Sequence, residues 1–168
     1  MKKIAALLII IISASHYAVA DSETNKITIE VIKFDFTKFP DEFKSYSSDI
    51  QKSRPNDIPP ILSSLKSSKI PATVIVKYSQ NLNVGDHIVQ STTIANTQFD
   101  LDVVRLKDQS GYADLKLKLN LQSDKISSSI ETKTLIQHQV PMIFPSFEQS
   151  DSSSSNIKSA DFTIITIE

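Results

Sequence analysis

Hydrophobic and polar residues alternate with a period of two along most of this chain, and with a helical period in one early stretch. Residues 26–36 (KITIEVIKFDF) open the pattern. Ile27, Ile29 and Val31 share one parity, and Ile32, Phe34 and Phe36 then take the other. A change of parity inside a continuous run is what a β-bulge produces, so the pattern predicts a bulged first strand. From Phe39 the interval lengthens. Phe39, Phe43, Tyr46 and Ile50 recur at helical spacing, and Pro40, Asp41 and Glu42 suit a first helical turn. Arg54-Pro55-Asn56-Asp57 breaks this helix. A second begins near Pro59-Pro60, carries Ile58, Ile61, Leu62 and Leu65 on one side, and ends by Pro71.

From Ala72 the period returns to two. Strands are predicted at 72–78, at 83–92 around Gly85, and at 96–106, where Phe99, Leu101 and Val103 alternate. Asp108-Gln109-Ser110-Gly111 reads as a turn in which Gly111 is free to take positive φ. The clearest strand is 112–121, with Leu115, Leu117, Leu119 and Leu121 alternating with Lys116, Lys118 and Asn120. Such alternation gives one buried and one wet face, as in an antiparallel sheet. A turn at Ser123-Asp124-Lys125 leads into a strand at 125–138, completing a hairpin. Pro141 and Pro145 interrupt pairing and Ser150–Asn156 is serine-rich, so 139–159 is expected to be a flexible Pro/Ser-rich loop. A last strand occupies 160–167. The expected fold class is α+β: a mostly antiparallel sheet of six to seven strands, with two short helices after the first strand.

The first twenty residues stand apart from this pattern. Lys2 and Lys3 precede an unbroken apolar run from Ile4 to Ile12, and Ala18-Val19-Ala20 supplies a small-x-small ending. These are the three parts of a secretory signal. The run is shorter than the ~20 apolar residues of a spanning helix. Cleavage is expected after Ala20. The absence of a twin arginine points to the general secretory route, and of cysteine away from lipoprotein processing. The expected organisation is a signal peptide at 1–20 and a single β-rich domain at 21–168, delivered to the periplasm or the medium.

Composition narrows the chemistry. Residues 21–168 carry 16 Lys and Arg against 19 Asp and Glu, a formal charge of about −3. That is no basic footprint for nucleic acid and no polybasic membrane patch. Without cysteine there are no disulfides and no thiolate chemistry. With only Gly85 and Gly111, no phosphate-cradling glycine loop can be built. No second apolar stretch approaches membrane-spanning length, so no integral span is expected after signal cleavage.

Of three histidines, His16 leaves with the signal. Asp86 and His87 are adjacent, but neighbours on a strand point to opposite faces and cannot act as a dyad. His138 ends a strand with no acid nearby in sequence. Two histidines fall short of the three or four ligands a metal needs. Asp41/Glu42 and Asp100/Asp102 are paired acids, the latter on one strand face about 7 Å apart. With no Trp to form a sugar platform, they read as solvated. No serine sits in a nucleophile elbow. The sequence therefore nominates no catalytic, cofactor-binding or metal-binding residue, and a non-enzymatic protein is expected.

Four segments, taken in order, resemble the C-terminal β-module of the secretins, the outer-membrane channels of type II and type III secretion and of type IV pili. ITIEVIKFDF at 27–36 is similar to the family's opening strand. ILSSLKSSKIPATVIVKY at 61–78 is similar to its helix-then-strand unit. Asn83-Val84-Gly85-Asp86 resembles its Val-Gly turn, and Gly111–Gln122 followed by Lys125–Thr134 resembles a Gly-x-x-Leu-x-Val strand and its successor. The family's closing Gly-Gly hairpin and Pro-x-Leu-Gly segment are missing. The resemblance thus implies a stand-alone, truncated accessory of a secretion or pilus system rather than a channel. The expected function is protein–protein contact in the cell envelope, with the final strand as an exposed edge for a partner. The alternative is a secreted binding or inhibitory module that presents loop 139–156 to its target.

Overall fold

The computed structural model describes residues 26–54, 57–94, 96–123, 126–152 and 155–168. The signal segment expected at 1–20 lies outside them. Strand β1 (Lys26–Asp35) is followed by helices α1 (Pro40–Lys52) and α2 (Ile58–Lys66), then by β2 (Ala72–Asn81), β3 (His87–Ile94), β4 (Thr97–Gln109), β5 (Tyr112–Ser123), β6 (Ile126–Gln137), β7 (Met142–Ser152) and β8 (Ser155–Ile167). The fold is α+β, mostly antiparallel sheet, with eight strands where six to seven are expected. The additional strand is β7. The loop expected over 139–159 is instead a hairpin, in which Met142 to Ser152 pairs antiparallel with Ser155 to Ile165.

The strands form two four-stranded sheets, β2-β1-β8-β7 and β3-β4-β5-β6. One core joins them. Ile27, Ile29, Val31, Val76, Ile165 and Ile167 from the first sheet meet Phe99, Leu101, Val103 and the β5 leucines from the second. A second core lies on the opposite face of the first sheet. There Ile32, Phe34, Phe36, Ala160, Phe162 and Ile164 pack against Phe43, Ile50, Ile58, Leu62 and Leu65 of the two helices. Its aromatic rings meet edge to face, Phe34 with Phe162 at 5.5 Å and Phe36 with Phe43 at 5.6 Å, the arrangement that ring quadrupoles favour.

These two covers explain the change of parity in β1. The strand pairs with β8 without a slip from Ile27↔Ile167 to Asp35↔Ser159. Odd residues face the other sheet along its first half, and even residues face the helices along its second. β8 carries the same change in reverse, from Phe162 and Ile164 to Ile165 and Ile167. The strand is therefore not re-aimed. A bulge does lie beside this point, but its extra residue is on β2, where Ile75 is passed over between Val31↔Val76 and Ile32↔Val74.

The helices start as their sequences direct. Pro40 opens α1 with Asp41 and Glu42 in the first turn and Lys52 in the last, charges that complement the helix dipole. The β4–β5 hairpin turns through Ser110 (φ 46°) and Gly111 (φ 84°). Two successive positive φ values make a type I′ turn, whose twist matches that of the paired strands.

Candidate functional site

The outer face of the second sheet is built by residues that alternate with its core positions. Antiparallel register sets them in rows across four strands. One row runs His87, Val104, Lys116, Lys133. The next runs Val89, Asp102, Lys118, Glu131, and a third Ser91, Asp100, Asn120, Ser129. His87 does not pair with its neighbour Asp86. The latter instead caps the β2–β3 crossover, accepting a hydrogen bond from the Asn83 backbone N–H at 2.7 Å. His87 reaches diagonally to Asp102, with Nε2 2.8 Å from Oδ1 and both side chains half exposed. Asp100 accepts hydrogen bonds from Ser91 Oγ at 2.6 Å and Gln98 Nε2 at 2.9 Å. Those two donors, Ser91 foremost, hold its carboxyl below the ordinary carboxylate value.

A shallow depression lies over the first two rows, lined by His87, Asp102, Val104, Lys116, Lys118, Glu131 and Lys133 among others. It holds His87 beside Asp102, Thr132 also lines it, and it is open to water. Lys118 approaches Glu131 at 4.0 Å. Lys116 and Lys133 are direct cross-strand neighbours of like charge, and neither has an acid within 4 Å among the described residues. Such a pair is destabilising by itself.

The remaining residues considered from sequence lie elsewhere. His138 sits in the β6–β7 turn, where its backbone N–H donates to the Gly111 carbonyl at 2.9 Å. Asp41 and Glu42 are exposed on the first turn of α1. Among the described residues no group of three or more His, Cys, Asp or Glu side chains is placed to hold a metal, and no helix is long and apolar enough to cross a membrane.

Two buried polar clusters lie apart from the residues considered from sequence. Arg105 on β4 is fully buried. Its Nε donates to Asp108 Oδ1 at 2.9 Å, its Nη2 to Asp108 Oδ2, and its Nη1 to the Leu82 carbonyl at 2.6 Å. Its backbone also clasps the crossover, accepting from Gly85 N–H at 2.7 Å and donating to the Asp86 carbonyl at 3.1 Å. The second cluster lies on β8. Asp161 is buried, with Lys33 Nζ 3.9 Å from its Oδ1 and 3.4 Å from Glu148 Oε2. Burial, partly offset by Lys33 and reinforced by Glu148, pushes the Asp161 carboxyl up to about 6.

The sheet edges complete the site. β8 is interior, held between β1 and β7, so the expected edge at the final strand does not exist. The edges are β2, β7, β3 and β6. β2 carries the bulge at Ile75, β7 has Pro145 in mid-strand, and β3 is only eight residues long. Bulges, prolines and short length all discourage edge pairing. β6 has none of these: twelve residues pair with β5 without a shift, from Ser123↔Ile126 to Tyr112↔Gln137. An open cleft runs beside it, lined by residues 127–132 and by Phe144, Pro145 and Ser146 of β7.

Comparison with protein-family models, with curated proteins and with solved structures finds no match for this chain.

Proposed function

We propose that this chain is an exported, non-enzymatic protein of the cell envelope that works by protein–protein contact, with β6 as the edge to which a partner adds. The observation that carries the reading is the unguarded length of β6 in a molecule whose other edges are bulged, proline-bearing or short. A strand added there gains main-chain hydrogen bonds for affinity, and its alternate side chains meet the cleft and the charged outer face for specificity. The signal-like N-terminus supports export. The secretin-like segments make a secretion or pilus system the first place to seek the partner.

The test compares capture of envelope proteins by the wild type with capture by Glu131→Pro and Thr132→Pro. Successive residues of an antiparallel strand turn their N–H groups to alternate sides. One substitution therefore removes an outward donor and leaves the β5 ladder whole, and circular dichroism identifies it as the folded variant. That variant should lose a protein the wild type retains. If every captured protein is kept by it and lost only on replacing residues 150–155, the contact lies at the β7–β8 hairpin and the β6 reading is wrong.

A further inference from the structure

We infer that the strand received at β6 is β6 of a second copy, joining the two outer sheets into one eight-stranded sheet across a two-fold axis at Thr132. The inference rests on reading β6 as the contact edge and names its partner. Strand polarity and charge select this register. In an antiparallel pairing centred on Thr132, Glu131 stands opposite Lys133 of the second copy, and Lys133 opposite its Glu131. Ile130 meets Thr134, Ser129 meets Leu135 and Ser128 meets Ile136, so core-facing residues stay on one side and outer residues on the other.

The neighbouring registers fail. Moving the centre by one residue, to Glu131 or Lys133, sets two glutamates or two lysines face to face, and like charges directly opposite repel. Centres between residues bring an outward side chain opposite an inward one, putting the two cores on opposite faces. Centres at Ile130 or Thr134 keep the faces aligned but set Glu131 and Lys133 opposite serine, glutamine or leucine, so of these registers the Thr132 centre is the one that pairs opposite charges.

The same pairing answers the feature the single molecule leaves unbalanced. Lys133 stands beside Lys116 with no acid within 4 Å among the described residues. In the dimer it lies between Lys116 and Glu131 of the second copy. Glu131, whose ion-pair partner among the described residues is Lys118 at 4.0 Å, lies between Lys118 and Lys133 of the second copy. The charges along the joined row then alternate across the junction. Eleven facing positions, 127 to 137, supply on the order of ten main-chain hydrogen bonds. An isologous contact of this kind closes on itself and leaves no further edge at the junction.

Sedimentation equilibrium of the purified exported protein tests the pairing. The wild type should show a concentration-dependent monomer–dimer equilibrium. Glu131→Lys and Lys133→Glu should each weaken the dimer about tenfold, because each change makes both symmetric contacts repulsive. An equimolar mixture of the two variants should recover wild-type affinity, since their heterodimer places opposite charges at both contacts. Amide exchange at the outward N–H groups of β6 should slow as wild-type concentration rises. A wild type that stays monomeric to millimolar concentration overturns the inference, as does a dimer indifferent to both charge reversals. A monomer that still loses a partner upon the β6 proline substitution rejects self-pairing alone and leaves the edge reading in place. Loss of both rejects the edge itself.

Discussion

Asp161→Asn keeps the shape of a side chain that is only 9% exposed and removes its charge. The folded carboxyl holds its proton up to about pH 6, against an ordinary value of 3.8. Between those two values the folded state binds more protons than the unfolded state, so stability falls as pH rises through this window. The full difference is about two pKa units at about 1.4 kcal/mol each, or roughly 3 kcal/mol against the wild type above pH 7. Asparagine has no proton to lose there, and Lys33 keeps Glu148 at 3.4 Å. Urea unfolding of both proteins from pH 3.5 to 8 reads the difference directly, because the other carboxylates cancel between them. The two should be similar below pH 4, and the variant should lead by up to about 3 kcal/mol above pH 7. Parallel curves across the range would refute the reasoning. A variant less stable than the wild type at pH 7 would show that attraction to Lys33 outweighs burial.

Other expectations follow from the same packing. Arg105→Ala should cost about 3–5 kcal/mol in thermal or urea unfolding, because it strands Asp108 and the Leu82 carbonyl and leaves a cavity. Arg105→Lys should rescue little of that, since an ammonium cannot reproduce the two-pronged contact. Gly85→Ala should cost about 1 kcal/mol through its φ of 87° alone, as a Cβ there meets nothing within 4 Å. Deleting residues 162–168 should abolish cooperative unfolding, because it removes Phe162, Ile165 and Ile167 from the two cores. His87→Ala should shift stability by less than about 1 kcal/mol, as befits a half-exposed pair; a larger loss in denaturant titration would give the His87–Asp102 contact a structural role it lacks here.

The sequence alone determined those elements whose information is local. The leucine–lysine alternation of 112–121 fixes β5 and both its faces, since a period of two admits only one way to bury four leucines. Pro40 with its acids, followed by Phe43, Tyr46 and Ile50, fixes α1, and Ser110-Gly111 fixes the hairpin turn. Strand alternation alone separates His87 from Asp86. The pairing of His87 with Asp102 was within reach of the 94–97 hairpin register, which puts both on one face two residues out of line.

Tertiary structure decided what depends on distant covers and neighbours. The parity change in β1 looks local but comes from two layers, a sheet and a helix pair, covering opposite faces of successive halves of one straight strand. Pro141 and Pro145 argue against a strand at 142–152, yet an edge strand tolerates a missing N–H, and β8 supplies the pairing that makes it one. The final strand became interior for the same reason: β7 folds back beside it. That moved the open edge from β8 to β6. Arg105 continues the buried parity of Phe99, Leu101 and Val103, but an arginine there, like Asp161 on β8, reads as wet until another layer closes over it.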